Sequence, residues 1–168
     1  MIKIIKEWKK KRIILNARGV KFEVLKDNLK KLPNSRLGKL EKIIDTYIKD
    51  NHKLDETFFP EIALNGICDD YDLNLYEFYF DKDPFILNTV LNYYSYGKFH
   101  IDQNTCAFYL NEELKYWGLD KHLANDCCFF KFHRGLSEIR EDLDKQKKII
   151  DEYLFKEYFG KGWIRKIQ

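Results

Sequence analysis

The chain has 168 residues, 45% of them hydrophobic and 16% aromatic, which is enough for one compact domain with a packed core plus an extension. The net charge of +3 hides an uneven layout: six Lys/Arg against one Glu in residues 1–12, 14 basic against 19 acidic side chains in 13–128, and 10 against 7 in 129–168. This excludes a basic nucleic-acid stripe except at the WKKKR stretch, which reads as a solvated arm or one lying near anionic lipid; no apolar run is long enough for a membrane span, and the start lacks the apolar stretch of a signal peptide.

In chain order, Ile13–Asn16 and Val20–Val24 are predicted to form a hairpin around Ala17-Arg18-Gly19. The second arm alternates apolar and polar residues, and Gly19 supplies the positive φ of a tight turn. Lys26 to Leu32 is expected to be a short helix stopped by Pro33. Asn34 or Ser35 then caps a helix through Leu37, Leu40, Ile43 and Ile44. Residues 45–65 mix charges, aromatics and a proline, and read as a surface insertion with one helical turn. Ile67-Cys68 and Tyr76–Phe80 are expected to be strands on either side of an acidic turn, Asp69–Asp72. Asp83 caps and Pro84 begins a helix that buries Ile86, Leu87, Val90, Leu91 and Tyr94 and stops near Gly97. Phe99-His100-Ile101 is a short extended link. Thr105–Trp117 is a helix closed by Gly118, and another is expected from Asp120 to Cys127-Cys128. Strands with helices, followed by a helical second half, define the α+β class. From Leu136, the residues Ile139, Leu143, Gln146, Ile150 and Tyr153 continue a 3-4 spacing, a heptad seam with one polar position. Two readings stand: a helix lying on its own domain, or helices meeting around an oligomer axis.

Four cysteines without a secretory signal point to a reducing compartment, where cysteines gathered with histidine favour metal over disulfides. His100, Cys106, Cys127 and Cys128 form His-x5-Cys-x20-Cys-Cys. Three thiolates and an imidazole complete a tetrahedral zinc set, closed to water and therefore structural. The spacing is unlike a zinc finger, and the other reading is a cluster of buried thiols. Cys68 is expected outside the set, in a buried strand, and His52, His122 and His133 are expected to be surface or core residues. Glu112-Glu113 reads as a solvated helix face. No nucleophile–base pair or glycine-rich phosphate loop is visible, so no enzyme is expected.

The stretches LNARGVKFEVL, LPNSRLGKL, CDDYDL, YEFYFDKDP, LNYYSYGKFH, CAFYLNEELKYWGL and NDCC, in this order over residues 13–128, resemble the tetramerisation domain of voltage-gated potassium channels, a relative of the BTB/POZ fold. The continuation FKFHRGLSEIREDLDKQ looks most like the Shab type. The resemblance implies a basic arm at 1–12, the tetramerisation domain at 13–128 with its insertion at about 45–65, and a helical extension or linker toward the membrane at 129–168. It implies Zn2+ shared between neighbouring subunits, with His100, Cys127 and Cys128 from one and Cys106 from the next; the Shaker branch lacks this set. The expected role is to gather four like subunits, itself included, and to exclude unlike ones at the cytoplasmic face of the plasma membrane, with auxiliary cytoplasmic subunits as further partners. A chain without membrane spans is not expected to conduct ions by itself. Arg18, Arg36, Asp69 and Asp70 are candidates for subunit contacts, because charge placement discriminates partners. Three features depart from the family: Ala17-Arg18-Gly19 replaces a pair of glycines, Phe85 directly follows Pro84, and the stretch between Leu40 and Cys68 is longer than usual. The alternative use of such a fold is an adaptor that recruits a ubiquitin ligase or other scaffold.

Overall fold

The computed structural model describes residues 11–50, 60–102 and 104–164. Residues 1–10 of the basic arm, His52 and the middle of the insertion lie outside the described residues.

β1 (Arg12–Ala17) and β2 (Val20–Leu25) pair antiparallel with Ala17 opposite Val20. Arg18 and Gly19 are left as a two-residue turn with φ of 48° and 90°, the mirror-image turn whose twist suits a hairpin. Gly19 takes this conformation freely and Arg18 does not. Two contacts brace the turn: the Gly19 N–H donates to Asn16 Oδ1 (2.8 Å), and the Arg18 guanidinium pairs with Asp81 (2.6 Å).

β4 (Glu77–Phe80) runs parallel to β1, and β3 (Asp70–Asp72) runs antiparallel to β4, giving the order β2-β1-β4-β3. Of the acidic turn expected at Asp69–Asp72, Asp70–Asp72 are therefore the strand, and Ile67-Cys68 are not. Local hydrogen bonding moves both boundaries. The Ile67 and Cys68 N–H groups donate to Leu64 O, ending a helix. The Asp72 carboxylate accepts from the N–H groups of Asn74 (2.8 Å) and Leu75 (3.1 Å), which places the turn at Leu73–Tyr76. Tyr76 has a φ of 51°.

The first helix, α1 (Lys26–Leu29), stops earlier than predicted. α2 (Arg36–Asp50) starts where Ser35 Oγ accepts from Gly38 N–H (3.0 Å), and it runs into the stretch read as an insertion. α3 (Pro60–Leu64) closes that stretch and buries Leu64 in the core. α4 (Pro84–Tyr96) is capped by Asp83, which accepts from Phe85 N–H, and ends on left-handed Gly97. α5 (Ala107–Trp117) ends on left-handed Gly118. One sheet face, with Ile13, Leu15, Ala17, Phe78 and Phe80, packs with Leu87, Tyr94 and Trp117, and the Phe80 and Trp117 rings lie 5.2 Å apart. Glu113 does not belong to a solvated face. It shares the buried side of α5 with Leu110, Leu114 and Trp117, and Lys82 reaches it at 3.3 Å. Glu112 is exposed and pairs with Lys115.

The helix expected from Asp120 is one 3-10 turn, Lys121–Leu123, capped by the Asp120 side chain. The chain is extended at Ala124, and a new helix, α6 (Asp126–Ile164), runs for 39 residues. Cys127 and Cys128 thus open a helix and do not close one. α6 packs Phe132 and Leu136 into the core, whereas residues 140–158 are exposed throughout. It lies on its own domain only at its root.

Candidate metal centre

The two cysteines and His100 come together through one residue that the sequence reading passed over. Asn125 precedes α6, and its Oδ1 accepts from Phe99 N–H (2.8 Å) while its own N–H donates to Phe99 O (3.1 Å). Its carbonyl accepts from Cys128 and Phe129 N–H and so starts the helix. Phe99 is itself buried and bridges Ala124 in parallel. This clamp ties the residue before His100 to the residue two before Cys127. An Asn at a helix start is a common cap, but its partner lies 26 residues away, beyond any local signal.

The resulting geometry is compact. His100 Nδ1 lies 3.3 Å from Cys127 Sγ and 3.9 Å from Cys128 Sγ, and the two sulfurs are 3.7 Å apart. A tetrahedral zinc with Zn–S of about 2.3 Å and Zn–N of about 2.1 Å separates its ligand atoms by roughly 3.5–3.8 Å. The three donors therefore stand close to the spacing of one tetrahedral face, and the set of two sulfurs and an imidazole suits zinc. Ile101 N–H donates to Cys128 Sγ (3.4 Å), and both sulfurs sit in the first turn of α6, at the positive end of its dipole. The Cys127 thiol is pushed up by its hydrogen bond to Cys128, by burial and by the charge that Cys128 would carry. A cation offsets this, because metal binding displaces thiol protons.

Cys106 does not join the convergent group. It sits exposed at the start of α5 and lines, with Cys127, Cys128, Lys131 and Arg134, a cleft of about 570 Å³ between the His100–Thr105 segment and α6. Among the described residues no fourth His, Cys, Asp or Glu closes the set. Cys68 is half-buried just before β3, outside any strand, and burial with the neighbouring Asp69 and Asp70 pushes its thiol up to about 11. His122 and His133 stack on each other, with ring centroids 5.3 Å apart, and do not converge on a common point.

The four residues expected at a subunit surface fall into three settings. Arg18 and Asp69 both meet Asp81, the first through its guanidinium and the second by accepting the Asp81 N–H (2.7 Å). Asp70 accepts from Tyr71 N–H at the exposed β3 edge. Arg36 is engaged inside the chain. Its guanidinium lies 3.9 Å over the Tyr116 ring, donates to Tyr116 O and Ile67 O, and also reaches Gly66 O.

A four-stranded mixed sheet, a helical second half and a match to the BTB/POZ domain family over residues 13–127 place the chain in that family. It belongs to the BTB/POZ family, as a domain related to those of regulatory subunits of voltage-gated potassium channels. Among its relatives, the mouse delayed-rectifier potassium channel regulatory subunit KCNS3 is 29% identical over 90% of this chain and 32% of its own length. The human voltage-gated potassium channel regulatory subunit KCNG1 is 31% identical over 84% of this chain and 25% of its own. The mouse delayed-rectifier potassium channel regulatory subunit KCNS2 is 31% identical over 80% of this chain. The chain spans about a third or less of the length of these relatives. No helix among the described residues is long and apolar enough to cross a membrane.

Proposed function

We propose that this chain is a non-enzymatic subunit-assembly domain of the potassium-channel type, working at the cytoplasmic face of the plasma membrane, which joins copies of itself and like channel subunits into a ring linked by zinc. The observation that carries the zinc link is the three-donor face of His100, Cys127 and Cys128. It lacks a fourth ligand from its own convergent group, while Cys106 stands exposed beside the same cleft. In a closed ring with heterologous contacts, each subunit offers three ligands across one interface and one across the other. One zinc per interface then completes a structural site with no position for water.

Light scattering and elemental analysis on one purified sample test this reading. The expected result is a tetramer holding about one zinc per chain, dissociating when a strong chelator is added. Cys106→Ser should lose most of the zinc. A monomer in the metal-loaded sample, or equal zinc in the Cys106→Ser variant, overturns it.

A further inference from the structure

Beyond Ile139, α6 leaves the domain and carries an apolar stripe that nothing among the described residues covers. Leu143, Ile150 and Tyr153 are 49%, 56% and 67% exposed, and Ile149 and Leu154 widen the stripe on either side. With Leu136, Leu143 and Ile150 in one set of seam positions and Ile139, Gln146 and Tyr153 in the other, the residues flanking the seam are fixed. Arg140, Lys147 and Leu154 lie on one flank; Asp142, Ile149 and Lys156 lie on the other. In parallel helices in register, each residue of the second flank faces the residue five positions later on the first flank of its neighbour. Asp142 then faces Lys147 of the partner subunit, and Ile149 faces Leu154 of the partner subunit: a charge meets its opposite and an apolar residue meets an apolar one. An antiparallel pairing sets like flanks together: on one flank Asp142 can meet Lys156 of the partner subunit and Ile149 can meet Ile149 of the partner subunit, but on the other Lys147 meets Arg140, Lys147 or Leu154 of the partner subunit and finds no acidic group, so only the parallel arrangement matches Lys147.

We infer that the exposed half of α6 docks on the same segment of further copies of this chain, parallel and in register, as a second assembly element. The widened stripe suits a bundle of more than two helices, in which flanking positions are also covered. Gln146 at a seam position then fixes register at some cost in stability. The Asp142 carboxylate also meets Lys145 on its own helix (3.2 Å), a solvent-exposed contact that competes weakly. The inference does not depend on zinc.

A charge-exchange cycle on the full chain, read by sedimentation equilibrium with and without chelator, tests it. Asp142→Lys and Lys147→Asp should each weaken self-association at least about tenfold, several copies of the pair being lost at once, and the double exchange should restore it to within about twofold. Residues five apart do not meet on one helix, so recovery has to come from a neighbouring copy. Additive losses overturn the inference while leaving zinc-dependent ring assembly standing; loss of zinc binding with intact coupling does the reverse. Gln146→Cys should give an interchain disulfide on mild oxidation, above that of the parent chain, and failure to do so overturns the parallel register. If Ile150→Asp leaves self-association intact and abolishes flotation with phosphatidylcholine–phosphatidylserine vesicles, the stripe is a membrane-surface face and the inference falls.

Discussion

Asn125 is the residue on which the geometry of the candidate metal centre turns, although it offers no ligand. Its side chain holds Phe99 N–H, so truncation frees the segment that carries His100. Asn125→Ala should weaken zinc binding by about tenfold or more, as losses behind a metal ligand commonly do, and Asn125→Asp, which keeps the acceptor, should lose less. Competition against a coloured chelator measures both, and an unchanged affinity in Asn125→Ala would detach the clamp from the site. His133 makes a second case at this scale. Its Nε2 is buried with no hydrogen-bond partner among the described residues, its ring packs against those of His122 and Phe129, and burial followed by the charges of Lys121 and His122 lowers its pKa. The native state therefore resists a proton that the unfolded chain accepts. As pH falls below the ordinary histidine value of 6.5, stability is lost, and the loss is complete below the lowered native value; above 6.5 the group contributes nothing to pH dependence. With chelator present to silence the proposed metal site, thermal melts of His133→Phe should fall less steeply with acid than those of the parent. Equal slopes would assign the acid sensitivity to other groups.

At the scale of elements, the join between α1 and α2 leaves no room for a side chain at Gly38. A methyl group on Gly38 would run into Leu32 O and stand 2.8 Å from Pro33 Cα, all backbone that cannot swing away. Gly38→Ala gains about 1 kcal/mol of helix propensity and meets overpacking of about 1–3 kcal/mol or more. The expected outcome is net destabilisation of about 2 kcal/mol in urea unfolding, and a neutral result would show that the Leu32–Ser35 turn can shift. What sequence could reveal about elements follows from where each signal lies. The hairpin at Gly19, the start at Asp83-Pro84 and the stops at Gly97 and Gly118 were legible because caps and turns are written in adjacent residues. β3 was misplaced because the Asp72 carboxylate, bonding forward to Asn74 and Leu75, moves the turn past the acidic run. The start of α6 was missed because Asn125 answers to Phe99, and Glu113 was misread because Lys82, 31 residues away, covers it. For the site, spacing brought out the ligand types, and the structure brings three of the four together. Cys106 stays outside that group, exposed beside the same cleft.

On the whole molecule, the exposed hairpin turn, Asp69 and Asp81 share one edge, joined by the pairing of Arg18 with Asp81. Exposed pairs of this kind add little to stability and act mainly in choosing partners. If the domain assembles with like channel subunits, the chain expressed alone should occupy places in their ring without supplying a pore. Co-expression should then reduce currents of Shab-type channels in preference to other potassium channels, measured under voltage clamp. An equal fall across all types would show that matching of domains is not the cause.

The length of α6 has a mechanical consequence. From Leu136, the last fully buried residue at its root, to Ile164, an ideal helix extends about 40 Å. Each degree of tilt at the root moves the far end by about 0.7 Å. The fulcrum is built from Cys127 and Cys128 in the first turn, with Phe132 and Leu136 behind them. The side chains with metal-ligand chemistry thus sit at the short arm of a long lever. A shift too small to disturb the fold around His100 is read out as a displacement of several ångströms at the far end of the arm.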